Sequence, residues 1–263
     1  SFFATFQTTD DFVNQAVMDA QKDVVKWIIR KIGTNLISGK SIMNMSLPVD
    51  IFDKRGLLER SAGSFGYAPI FLEQATKLED ELEQMKWVVT YMLSINTLEL
   101  RLEKPFNPIL GETFQAYIGT TPIQYEQISH HPPISAYYMK NDSFEMYGNL
   151  VSYAELGLNS GAGGNAGLIN IKFPINQSHF ECSLPSCEIN GLVFGDRKMR
   201  MVGRGFILNR SKRMLTEISF GKDKKGLYDS PIKMGTSDIA GGIFTVTDDF
   251  IKKFNKATNR HRW

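Results

Sequence analysis

Apolar side chains at Val13, Val17, Ala20, Val24, Trp27 and Ile28 recur at helical spacing, with Thr9 or Asp10 placed to cap and Gly33 to stop. The pattern predicts an amphipathic helix over residues 10–32. Its last third, VVKWIIRKIG, is more apolar than a helix facing only water would be, which fits docking on a core or contact with a ligand or membrane. A second helix is predicted over residues 78–94. It sets Leu82, Met85, Val89 and Met92 on one face and Glu79, Asp80, Glu81 and Glu83 near its electropositive start, and reads as scaffold.

From Thr113 onward the helical period gives way to short β-branched and aromatic runs between turn signals: TFQAYIG, IQYEQIS, ISAYYMK, FEMYGNLV, LINIKF, HFECSL, GRGFIL, LTEISF and GIFTVT. Turns as short as Lys140-Asn141-Asp142 leave no room for crossover helices, so the runs are predicted to pair antiparallel. A meander that curls into a barrel also removes exposed edges, and a barrel of this size can enclose a ligand. The glycine-rich stretch NSGAGGNAG over residues 159–167 is predicted as a flexible surface loop. It has no GK[ST] and no following helix to make it a phosphate cradle. No internal repeat of fixed period is visible.

The 42% apolar content supports a real core and sets aside the disordered and fibrous classes. A net charge of +2 is too weak to imply a nucleic-acid partner, while leaving room for local basic patches facing acidic lipid headgroups. Cys182 and Cys187 are the only cysteines, which fits a reducing compartment and argues against a disulfide scaffold. With no apolar run long enough to span a bilayer and no signal-peptide pattern at the start, a cytoplasmic chain is expected.

Two segments carry candidate chemistry. In EQISHHPP, residues 126–133, adjacent histidines on an extended strand would point to opposite faces, so both can meet one ligand only where the backbone bends. Pro132 and Pro133 supply that bend and stop normal pairing. Imidazoles can donate to phosphate oxygens, although a histidine pair also serves as a structural hydrogen-bonding element. In KPFNPILGET, residues 104–113, Lys104 and Asn107 each stand before a proline that fixes the loop; together they suit a phosphomonoester, or else the prolines and Gly111 merely shape a loop.

EQISHHPP closely resembles the signature octapeptide of the oxysterol-binding-protein-related family. KPFNPILGET resembles that family's other characteristic tract, at the matching spacing ahead of it. More weakly, WIIRKIG (27–33) looks like the family's lid helix, and SLPV (46–49) like the segment after it. The resemblance implies one lipid-binding domain over residues 1–263. It would be a mainly β, near-closed antiparallel barrel enclosing a lipid tunnel, with an N-terminal helical lid at about 22–46, a helical segment before the barrel, and barrel strands over 113–250. The implied headgroup ligands are Lys104, Asn107, His130, His131 and the Phe106 backbone N–H, with Trp27, Ile28 and Ile32 on the lid. The implied function is binding and non-vesicular transfer of phosphatidylinositol 4-phosphate, a sterol or another lipid. The protein would be a monomer, peripheral at organelle membranes or contact sites, without catalytic residues, cofactor or metal. The family's C-terminal basic headgroup contacts have no counterpart before Trp263, although Lys252, Lys253, Lys256, Arg260 and Arg262 make the closing stretch basic enough for an anionic membrane.

Three other readings compete. A lipid sensor or tether would share the same pocket, and a transfer assay separates it from a carrier. A zinc module could draw on His179, Cys182 and Cys187 with His130 and His131, but Cys-x4-Cys is looser than zinc knuckles prefer and no helical HExxH is present. A lipid hydrolase would need more than the sequence adjacency of Ser129 and His130, and there is no GxSxG elbow.

Overall fold

The structure is a computed structural model that describes residues 3–7, 49, 52–99, 103–157, 159–191, 198–221 and 238–258. The helix predicted over residues 10–32, and with it Trp27, Ile28 and Ile32, lies outside the described residues.

Three helices precede the main sheet: α1 (Leu57–Ser64), α2 (Ala68–Thr76) and α3 (Glu81–Glu99). The start of α3 is fixed by Asp80, whose Oδ1 accepts from the backbone N–H of Leu82 at 2.8 Å and of Glu83 at 3.0 Å. This satisfies two of the donors a helix start leaves open. The buried face of α3 is Met85, Val88, Tyr91, Met92 and Ile95, rotated from the predicted stripe. Leu82 is 40% exposed because capping holds the first turn at the surface. Gln84 locks this layer to the sheet, donating to the Ala75 carbonyl at 3.2 Å and accepting from Ser178 Oγ at 2.8 Å.

The mainly β, antiparallel expectation holds. A 12-stranded sheet runs β1 (Phe3–Gln7), β14 (Asp238–Thr245), β13 (Met214–Phe220), β12 (Lys198–Asn209), β10 (Ser178–Cys182), β9 (Ile169–Phe173), β7 (Glu145–Leu156), β6 (Ile134–Lys140), β5 (Thr121–Ser129), β4 (Thr113–Ile118). Two strands lie off this path. β8 (Ser160–Asn165) and β11 (Ser186–Asn190) pair with each other, β8 also with β7 and β11 also with β12. The two longest strands therefore fork. β7 gives residues 145–148 to β9 and 152–156 to β8, while β12 gives 207–209 to β10 and 198–202 to β11. The result is a ring of strands, as the expected curling of the sheet implies, with the fork as a departure from a simple meander order. The glycine-rich segment predicted as a loop is strand β8. Its glycines hide the alternation a strand normally shows, and the exposed Tyr153 lies across Gly164, where a Cβ would come within 2.9 Å of the tyrosine oxygen.

The core lies between the helices and the inward-facing side chains of the sheet. On β5 the buried residues Ile123, Tyr125 and Gln127 alternate with exposed neighbours. Phe65, at the C-terminal cap of α1, meets Tyr137 at a centroid distance of 5.0 Å, and Tyr91 donates to Met146 Sδ at 3.1 Å. Each fully buried side chain of this size contributes about 1.5–3 kcal/mol relative to exposure, so helices and sheet stabilise one another. After the sheet, α4 (Asp248–Thr258) docks Phe254 against Phe206 at 4.7 Å, so the basic closing stretch begins as a packed helix. No helix among the described residues is long and apolar enough to cross a membrane.

Candidate functional site

KPF forms β3 (Lys104–Phe106), which lies parallel to β2 (Phe52–Gly56) in a separate two-stranded sheet. Phe52 stacks on Phe106 at 4.5 Å, and the Lys104 ammonium lies 4.9 Å above the Phe52 ring. Lys104 Nζ donates to Asn107 Oδ1 at 2.9 Å and to the Pro105 carbonyl at 3.3 Å. Partial burial lowers the pKa of Lys104, because the desolvated ammonium has an aromatic face and neutral oxygens near it and no carboxylate among these partners. An anion would relieve that cost. The Asn107 amide turns its carbonyl end to the lysine, which directs its donor end to the other side.

The next residues form a tight turn. Glu112 N–H donates to the Ile109 carbonyl at 3.0 Å, Ile109 N–H donates to the Glu112 carboxylate at 3.0 Å, and Gly111 takes φ +80°. That angle at the third position is what a type II turn requires of glycine. Gly111 then donates to the Gln127 carbonyl and Gln127 N–H to the Glu112 carbonyl, each at 2.9 Å, so two residues face one as in a glycine bulge.

Gln127 is thus the tie between the two motifs. Its side chain donates to the Ser129 carbonyl at 2.6 Å and accepts from Ser135 Oγ across the hairpin. Beyond Ser129, residues 130–133 make the exposed turn from β5 to β6, as the two prolines imply. The bend sets the His130 and His131 rings side by side, 4.6 Å apart. Lys104, Phe106 and Asn107 therefore form one group and the histidines another, and the chain segments that carry them pair at Gln127 through Gly111 and Glu112.

A cavity of about 190 Å3 lies where the sheet forks, between α1, the end of α3 and strands β7, β8, β11 and β12. Leu57, Phe65, Leu150, Leu184, Pro185 and Met201 supply apolar wall, Arg60, Asn96 and Asn165 polar atoms, and Pro105 connects it to the lysine group; neither histidine lines it. Buried Asn96 donates its Nδ2 to the Met92 carbonyl at 3.1 Å, while Oδ1 has no partner. Arg60 Nη1 donates to the Glu103 carbonyl, just before Lys104. Sequence reasoning missed Arg60, Asn96 and the role of Gln127. Only Gln127 left a signal, as a polar residue at an inward position of an alternating strand.

The zinc reading loses its ligand set: by strand alternation His179 and Cys182 point to opposite faces of β10, and His179 instead bonds Asn170 at 3.1 Å. No group of three or more His, Cys, Asp or Glu side chains that could hold a metal ion occurs among the described residues.

The family model for oxysterol-binding protein matches residues 31–245. The chain belongs to the oxysterol-binding protein family. Oxysterol-binding protein 9 of Dictyostelium discoideum is 29% identical over 250 residues, covering 93% of this chain and 58% of that protein. Among solved structures, the Osh3 ORD of Saccharomyces cerevisiae in complex with PI(4)P matches with a TM-score of 0.65 at 26% identity, covering 77% of this chain and 53% of that one. The Osh1 ORD in complex with cholesterol matches with a TM-score of 0.66 at 25% identity, covering 82% and 50%. The chain thus spans about half the length of these relatives, and the family match over residues 31–245 takes in the forked sheet and both motif segments.

Proposed function

We propose that this chain holds one membrane lipid, with a phosphorylated headgroup at Lys104, Asn107, the Phe106 backbone N–H, His130 and His131 and the apolar body in the cavity, and that it carries lipid between membranes without altering it. The observation that supports this most is the coupling at Gln127. Its backbone pairs with the turn that follows the lysine segment and it stands three residues before the two exposed imidazoles, while Pro105, next to the half-buried Lys104, lines an apolar-walled cavity. The relatives solved with PI(4)P and with cholesterol make a phosphoinositide and a sterol the first cargos to test. The protein would act as a cytoplasmic monomer, peripheral at organelle membranes, with Trp27, Ile28 and Ile32 as a lid. Extraction of phosphatidylinositol 4-phosphate from vesicles tests the reading. Wild type should remove it, and His130→Ala/His131→Ala should fail while keeping its fold. Unchanged extraction by the double variant would remove the headgroup assignment.

A further inference from the structure

The turn that joins the lysine group to the sheet carries large apolar side chains where a turn facing only water would take small or polar ones. Ile109 is 70% exposed and Leu110 64%, with Phe106 at 45% just before them. Ile128 is 48% exposed on the adjoining strand. The bulge at Gln127 makes Leu110 and Ile128 the next residues outward on the two paired chains. Single exposed apolar residues are ordinary, whereas several gathered at one rim mark a contact surface. The turn holds this form through its own hydrogen bonds, two of them at 3.0 Å between Ile109 and Glu112, so the exposure does not depend on packing.

We propose that Ile109 and Leu110, flanked by Phe106 and Ile128, form a docking tip that seats in the interfacial layer of a phospholipid bilayer while the headgroup site faces the surface. The inference rests on the headgroup reading above and deepens it. A site that takes a headgroup out of a membrane must approach that membrane, and the apolar tip is continuous with the site along the chain from Lys104 to Gly111. A cation set behind apolar tip residues complements an interface with acyl chains beneath and phosphates above. A bilayer is therefore the occupant this rim fits.

The test is partition of the intact chain onto phosphatidylcholine vesicles, with and without phosphatidylserine, beside affinity for soluble dibutyryl phosphatidylinositol 4-phosphate. Ile109→Ser/Leu110→Ser should lower partition by about tenfold or more, as expected for losing two inserted aliphatic side chains, with the thermal midpoint and soluble-lipid affinity unchanged. The loss should persist at raised salt, where charge contributes less. Ile109→Leu/Leu110→Ile should partition as wild type does. Unchanged partition of the serine variant, or no partition of wild type, would overturn the proposal. So would a parallel fall in soluble-lipid affinity, which would make the turn a support for the site. A wild-type chain that partitions through Ile109 and Leu110 yet ignores the soluble lipid would defeat the headgroup reading and leave the docking tip standing.

Discussion

Replacing Lys104 by methionine removes the ammonium while keeping most of the side chain's length. In the free protein the change should nearly cancel. The hydrogen bonds to Asn107 and to the Pro105 carbonyl are lost, with a cation–aromatic contact at 4.9 Å, while the desolvated charge that depresses the lysine pKa is relieved. Stability should shift by no more than about 1 kcal/mol. Ligand binding should not cancel. A charge-assisted bond to phosphate contributes about 1.5–3 kcal/mol, so Lys104→Met should weaken phosphatidylinositol 4-phosphate binding by roughly ten- to hundredfold and a neutral lipid hardly at all. Competition against a fluorescent lipid, run in parallel for both ligand classes, reads the difference. The pH dependence gives a second check. The depressed pKa means the free folded state releases this proton below the ordinary 10.5, so phosphorylated-lipid affinity should begin to fall at lower pH than for an ordinary lysine, and this component should vanish in Lys104→Met. The same shift has the opposite sign for folding. The unfolded chain binds more protons in that window, so this group's contribution makes stability rise with pH there. Equal losses for both lipids, or none, would recast Lys104 as a structural residue.

Cys187 lines the cavity while Cys182 is buried with its thiol pKa pushed well up by desolvation, so a thiol reagent should modify Cys187 first, and bound lipid should slow that reaction; peptide mapping reads both. Asp80→Ala should cost about 1 kcal/mol by loss of the α3 cap, measured by urea unfolding with lipid binding intact. Gly167→Ala should cost several times more, since its Cβ would fall 1.7 Å from the Asn149 carbonyl oxygen at the fork and force backbone apart.

How far the fold is legible depends on whether side chains report their surroundings. ISAYYMK forms β6 over the predicted residues because alternation and flanking turns agree there. SGAGGN gives no such signal: glycine has no side chain to alternate, and β8 forms because β7 and β11 supply partners on both sides. Forking is equally hidden, because the run FEMYGNLV covers only residues 144–151, and tertiary context both carries the strand on to Leu156 and assigns its halves to different neighbours. The short helices α1 and α2 escaped a periodicity reading that favours longer segments, and β3 was masked by Pro105. At the site, the two motifs were visible as residue patterns and the bend at the histidines followed from the prolines. Their coupling through Gln127 needed the register.

Native mass spectrometry of the gently purified chain bears most directly on the claim that this protein carries a membrane lipid. The expected spectrum shows chain with one bound lipid. After incubation with vesicles containing phosphatidylinositol 4-phosphate, a species of that added mass should appear for wild type and be lost in His130→Ala/His131→Ala. A folded chain that carries no lipid, and acquires none from vesicles offering phosphatidylinositol 4-phosphate, phosphatidylserine and sterol, would contradict the account.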